Sequence, residues 1–277
     1  MQVYYVDAFT SKRFAGNPAA VCLLPEWPEE DWMQALAAEI NLPMTAFARR
    51  EGHGDTFRLR WFNASGESTL CGHATLAAAH VLWECGQARP RASIRFLTRG
   101  GELAARRLGG GWIELDFPAQ PVQPAARPEL AHELGVEPVW MGRNQLHFLV
   151  EVADESVVRS LRPDFPRLTA AAASARGVVV TSRAAAGELD FVSRYFAPAM
   201  GIDEDQVTGS AHCALGPYWA AKLGKEELRA AQLSARGGML RVRVAADRVH
   251  LAGQAVSVMR GQLLDPVRER EAVAESR

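Results

Sequence analysis

Apolar and β-branched residues fall along the chain in short runs, each closed by Gly, Pro or a polar pair. They are "VYYVDAF" from Val3, "AAVCLL" from Ala19, "TFRLRWF" from Thr56, "SIRFLT" from Ser93, "WIELDF" from Trp112, "HFLVEV" from His147, "GVVVTS" from Gly177, "DFVSRYF" from Asp190, "LRVRVA" from Leu240 and "RVHLAG" from Arg248. Runs of this length and composition predict β-strands. A helical period lies between some of them. In "PEEDWMQALAAEI" the residues Met33, Leu36, Ala37 and Ile40 form one stripe, Pro28 precedes it and acids fill the first turn. Two further segments, "HATLAAAHVLWECG" and "SAHCALGPYWAAKLG", are apolar on almost every side and end at Gly. Helices so poor in polar residues belong inside a fold, with strands around them. The stretch "EINLPMTAFARR" from Glu39 joins the first helix to another strand, with Met44 at the junction.

The pattern repeats weakly. "CGHA" at Cys71 matches "TGSA" at Thr208, and "TRGGEL" at Thr98 matches "ARGGML" at Ala235, both 137 positions apart. "RWF" at Arg60 and "RYF" at Arg194 precede the first pair. Two matches in one register predict two similar α+β halves, each with a buried helix that begins at a Gly. The four prolines of "FPAQPVQPAARPEL", from Phe117, mark the connection between them. The expected division is an N-terminal domain over 1–117 and a C-terminal domain over 128–257.

Size and composition agree with this: 277 residues suit one large domain or two smaller ones, and 48% hydrophobic with 23% charged residues is ordinary for a globular protein. A net charge of −1, not gathered in either half, offers no attraction to nucleic acid or a membrane surface. Cys22, Cys71, Cys85 and Cys213 make no CxxC pair, so no zinc site and no disulfide framework is expected, and a reducing cytoplasm is the default. "MQVYYVDAF" reads as a strand and not as a signal peptide, and no apolar run is long enough to span a bilayer. The charged "PVREREAVAESR" from Pro266 reads as a solvated tail.

The candidate chemistry gathers at the two Gly-led helix starts. A helix N-terminus presents free N–H groups and partial positive charge, which suit a carboxylate, a phosphate or a developing oxyanion. Gly72, flanked by Cys71 and His73, leads one helix. Gly209, flanked by Thr208 and Ser210, leads the other. If the halves are pseudo-symmetric, both starts face one cleft and grip a small anionic substrate. His73 titrates near neutrality when unperturbed, Asp205 is a candidate base or orienting group, and Ser210 a carboxylate anchor. Cys71 is either an activated thiolate or, more in keeping with its setting, a buried structural thiol. His80, His212 and Cys213 read as structural, and "RLGGGW" as a hairpin turn between strands.

The motifs "VDAFTSKRFAGNPAAVCLL", "LRWF", "LCGHATLAAAHVL", "SRYFAPAMGIDEDQVTGSAHCALGPYW" and "LSARGG" resemble the PhzF-like family of phenazine-biosynthesis isomerases, in order from about Val3 to Gly261. The resemblance implies the diaminopimelate-epimerase-like fold: two pseudo-symmetric α+β domains, each a sheet wrapped around a central helix, with the active site between them. It also implies that the final strand, about 258–265, returns to the first domain, that the chain is a homodimer, and that no metal or organic cofactor is needed. It assigns acid/base roles to His73 and Asp205 and a substrate role to Ser210, with Gly72 and Gly209 at the helix starts. The family's principal acid/base, a Glu in an "NLSETAF"-type segment, corresponds here to Met44 in "NLPMTAF". Thr69 and Gln206 also stand where the family has an acid and a Pro. The implied activity is therefore a cofactor-independent proton transfer on a small anionic amino or hydroxy acid, cyclic acids included, at an altered site. Glu67, Asp205, His73 or Cys71 would then carry the proton. The alternative is a catalytically impaired homologue that binds a small anion.

Overall fold

The computed structural model describes residues 1–185 and 187–264; the charged segment from Pro266 lies outside them. The first half runs β1 (Gln2–Ala8), β2 (Asn17–Leu24), α1 (Glu30–Ile40), β3 (Thr45–Arg50), β4 (Thr56–Asn63), β5 (Gly66–Ser68), α2 (Gly72–Glu84), β6 (Ile94–Thr98), β7 (Gly101–Arg107) and β8 (Ile113–Pro118). The second runs β9 (Gln123–Pro124), α3 (Pro128–Leu134), β10 (Trp140–Arg143), β11 (His147–Glu151), α4 (Glu155–Ser160), α5 (Phe165–Ala171), β12 (Gly177–Arg183), β13 (Phe191–Ala197), β14 (Ile202–Asp205), α6 (Gly209–Leu223), β15 (Glu227–Gln232), β16 (Gly238–Ala245), β17 (Arg248–Gly253) and β18 (Ala255–Gln262).

All ten strand runs fall on strands, and the three helical segments are α1, α2 and α6. The pairings repeat in kind and order. β1–β2 is antiparallel, β2–β3 parallel, β3–β4 and β4–β5 antiparallel, β4–β6 parallel, and β6–β7 and β7–β8 antiparallel. The series from β10 to β17 has the same sequence of pairings. The halves are exchanged at their ends. β8 pairs with β17, then the chain runs on into β9 against β10; β17 in turn runs on into β18, which pairs with β1 from Ala8↔Ala255 to Gln2↔Gln262.

Each half has the same layers. Ten of the thirteen residues of α2 are buried, because small Ala74, Ala77, Ala78 and Ala79 let strands close around it on all sides. α6 is its counterpart, and the two helices share one central core with the inner faces of the strands. The outer faces are covered by α1 in the first half, around Met33, Phe47 and Phe62, and by α3, α4 and α5 in the second, around Phe148, Val180 and Phe196. Pro217 lies inside α6 and cannot donate to the Cys213 carbonyl. That acceptor is taken instead by the Gln120 N–H at 3.0 Å, and the Ala119 N–H bonds Asp247 at 2.8 Å. These bonds pin the proline-rich connection where it leaves β8, and the pairing of β9 with β10 and the bond from the Ala125 N–H to the Met141 carbonyl at 3.1 Å hold it further on. The "RLGGGW" glycines form the β7–β8 turn, closed by a bond from the Leu108 N–H to the Trp112 carbonyl.

Candidate active site

The pseudo-twofold axis passes between the starts of α2 and α6. A Cβ placed on Gly72 would lie 3.4 Å from the Gly209 Cα, and one placed on Gly209 would lie 3.4 Å from the Gly72 Cα. The two helix starts therefore face each other at van der Waals distance, with no side chain between their backbones. Neither N-cap residue, Cys71 or Thr208, caps its helix with its side chain, so the first N–H groups of both helices are left for another partner. These starts sit in a cleft of about 450 Å³ between the halves. Every sequence-derived candidate lines it: Met44, Cys71, Gly72, His73, Asp205, Thr208, Gly209 and Ser210.

Asp205 ends β14 and is held from both sides. Its Oδ1 accepts from Asn17 Nδ2 at 2.7 Å and its Oδ2 from the Thr208 hydroxyl at 2.6 Å. Burial nonetheless outweighs these bonds and pushes its carboxyl above the usual range. His73 is buried, and loss of solvation pulls its imidazole down to about 4, so it is neutral at physiological pH and does not titrate near 7 as an exposed histidine would. Its Nδ1 is 3.5 Å from the Cys71 sulfur, and its Nε2 has no partner among the described residues. Burial pushes the Cys71 thiol up to about 12, which makes it a thiol and not an activated thiolate. Glu67 borders the cleft but is bound by Arg60 at 2.7 and 2.8 Å and by Arg99, which hold its carboxyl below the usual range. It is a poor base. Met44 is 9% exposed and packs in the central core cluster.

Two positioning residues escaped the sequence reading. Asn17 is fully buried and its amide also donates to the Val207 carbonyl at 2.9 Å. Its signal was the Gly16-Asn17-Pro18 entry to β2, inside the first of the family motifs. Gln232 is likewise fully buried; its Nε2 donates to the Asp205 carbonyl at 2.8 Å, and its Oε1 accepts from the Thr208 N–H at 2.9 Å. A lone glutamine at the end of an apolar strand gave no such signal. The structural histidine is as expected: His212 is fully buried, with Nδ1 donating to the Thr208 carbonyl at 2.8 Å. Thr75 makes the equivalent bond to the Cys71 carbonyl in α2, at 2.5 Å. Among the described residues no group of three or more His, Cys, Asp or Glu is arranged to hold a metal ion, and no helix is long and apolar enough to cross a membrane.

Two α+β halves of one topology, with facing helix starts and a buried carboxylate at their junction, define the epimerase-like class of fold. The family model described as "Phenazine biosynthesis-like protein" matches residues 6–261, and the chain belongs to that family. It is 49% identical over 264 residues to an uncharacterized isomerase of Halalkalibacterium halodurans, an alignment that covers 95% of this chain and 98% of that one. The crystal structure of a PhzF family protein of Enterococcus faecalis superposes with a TM-score of 0.88 at 38% identity, covering 95% of this chain and 99% of that one. A Pseudomonas aeruginosa protein described as a predicted epimerase, 21% identical, shares the fold with a TM-score of 0.72, over 95% of this chain and 99% of that one.

Proposed function

We propose that this chain is an isomerase that moves a proton on a small carboxylic acid, with Asp205 as the proton carrier. The observation that carries this reading is the convergence of a buried carboxylate, pushed toward higher pKa, with two uncapped helix starts in one cleft. The substrate carboxylate accepts the N–H groups at Gly72 and Gly209 and the Ser210 hydroxyl. Those donors stabilise the negative charge that builds up as the adjacent C–H bond breaks. Asp205, more basic than an exposed aspartate, takes the proton, and the electron pair passes into the substrate's carbonyl system. Returning the proton to a different carbon, or to the other face of the same one, gives the isomer. His73, neutral with a free Nε2, hydrogen-bonds the substrate beside Asp205, and the chain's own groups supply all the acid/base chemistry. The altered site is this one: Met44 adds apolar wall in place of a carboxylate. Cyclic amino and hydroxy acids are the first substrates to test. Homodimerisation and cytoplasmic location belong to the same proposal, checked by sedimentation and by cell fractionation.

One other reading, a binder of small acids, turns on the same residue, Asp205. Met44 cannot titrate and Glu67 is neutralised by two arginines, so among the described residues Asp205 is the one carboxylate lining the cleft that is left to act as base. Had Asp205 served only to brace Thr208, the protein would bind small acids without turning them over. Incubating candidate acids in deuterium oxide and following loss of the C–H signal separates the two. Exchange by the parent that falls in Asp205→Asn supports the isomerase. Binding without exchange in the parent, with exchange restored in Met44→Glu, supports the binder.

A further inference from the structure

The cleft has a second polar wall, built by strands of the second half and left unused by the groups above. His147 begins β11 and Tyr195 lies in β13; the tyrosine hydroxyl and His147 Nδ1 are 3.1 Å apart. Both side chains are more than nine-tenths buried, at 1% and 5% exposure, yet both border the cleft. His147 Nε2 has no hydrogen-bond partner among the described residues. Arg176 stands exposed at the same cleft, near enough for its charge to act on both groups, and it has no carboxylate partner among the described residues.

The pseudo-symmetry explains how this wall arises. Ala46 pairs with Trp61 in the first half and Val179 with Tyr195 in the second, all four in the central core. The counterpart of Met44 is therefore Gly177. A Cβ on Gly177 would lie 2.5 Å from the Tyr195 hydroxyl, so the tyrosine fills the space that a side chain would take there. Where one half presents a thioether, the other presents a phenol, an imidazole and a cation. Tyr195 also pairs with Asp205 across the β13–β14 ladder, which sets this wall beside the proposed proton carrier. A buried imidazole with an unpaired nitrogen is costly to leave unsatisfied, and an unpaired guanidinium suits a carboxylate.

We propose that Arg176, His147 and Tyr195 form a second anion-binding subsite, so that the substrate is a small dicarboxylic acid, or an acid with a second oxyanion, held at both ends across Asp205. This rests on the proposed carboxylate site at the helix starts. If the His147 Nδ1 accepts from the Tyr195 hydroxyl, its Nε2–H is a donor toward the cleft, and Arg176 supplies the charge.

The test is binding of matched pairs, succinate against butyrate and glutarate against valerate, by isothermal titration to the parent chain, Arg176→Ala and Tyr195→Phe. Arg176 is exposed and Tyr195→Phe keeps the ring, so both variants should fold; circular dichroism checks this. A charge-assisted contact predicts that the diacids bind about 10- to 100-fold more tightly than the monoacids, and that Arg176→Ala removes most of that ratio while leaving the monoacid affinity unchanged. Tyr195→Phe should lower the ratio by a smaller factor. Equal affinities for the two classes, or a ratio that survives Arg176→Ala, overturn the subsite while leaving the helix-start site standing. Failure of every carboxylate to bind overturns both.

Discussion

Acidification from pH 7 to pH 5 should weaken this fold far more than its near-neutral charge suggests. Three imidazoles, His73, His147 and His212, are buried, at 8%, 1% and 0% exposure, and burial pulls each from the ordinary 6.5 down to about 4. In the unfolded chain they take up protons as pH falls through 6.5, while in the folded chain they resist until about 4. Their contribution is therefore present above pH 6.5 and is lost progressively toward pH 4. At pH 5 the loss is about 2 kcal/mol for each, or about 6 kcal/mol together, against a total stability on the order of 5–15 kcal/mol. Asp205 works in the opposite sense, because burial favours its protonated form, so it adds stability as the medium becomes acidic. Urea unfolding followed by tryptophan fluorescence at pH 7, 6 and 5 measures the balance. The informative variant is His212→Thr, since Thr75 already makes the same carbonyl bond at the equivalent position of α2. Packing losses in that variant are common to all three pH values. The difference between pH 7 and pH 5 should shrink by about 2 kcal/mol, one histidine's share. An unfolding free energy unchanged from pH 7 to pH 5, or an undiminished difference in His212→Thr, would refute the reasoning.

Other expectations can be checked alongside it. Asn17→Ala removes a donor to the Asp205 carboxylate; the acid limb of the pH–exchange profile should move to higher pH, and exchange at pH 7 should fall by about tenfold. Glu67→Gln should keep exchange within a few-fold of the parent, since two arginines already neutralise that carboxylate; a loss as deep as that of Asp205→Asn would reassign the base. Gly238→Ala would set a Cβ 2.3 Å from Val207 Cγ2, next to Thr208, so thermal unfolding should show about 1–3 kcal/mol of destabilisation.

Much of the fold was legible because its signals are local. The ten apolar runs and the three helical segments could be read from composition and period alone, and the repeat of "CGHA" in "TGSA" pointed to two halves whose strand pairings do repeat. The short elements were not legible. α3, α4 and α5 have six or seven residues each, too few for an apolar stripe, and β5, β9 and β14 have two to four. The return of the last strand to the first half was implied by the family resemblance, and β18 does pair with β1; the matching crossing of β9 depends on which strand edge is free, which only the closed sheets decide. At the site, the helix starts were readable because Gly marks them. The state of His73 was not, since an imidazole's pKa is set by how many neighbours exclude water, and its immediate neighbours in sequence do not tell. The His147–Tyr195 wall was hidden for the same reason: one residue opens a strand, the other lies inside one, and 48 positions separate them.

The most direct test of the proposed chemistry is solvent-deuterium exchange into the C–H beside the carboxylate of cyclic amino and hydroxy acids, measured by proton NMR for the parent and for Asp205→Asn. Proton transfer through Asp205 predicts exchange by the parent and a fall of about 10²- to 10⁴-fold in the variant. Exchange undiminished in Asp205→Asn, or none with the parent on any acid that binds, would contradict it.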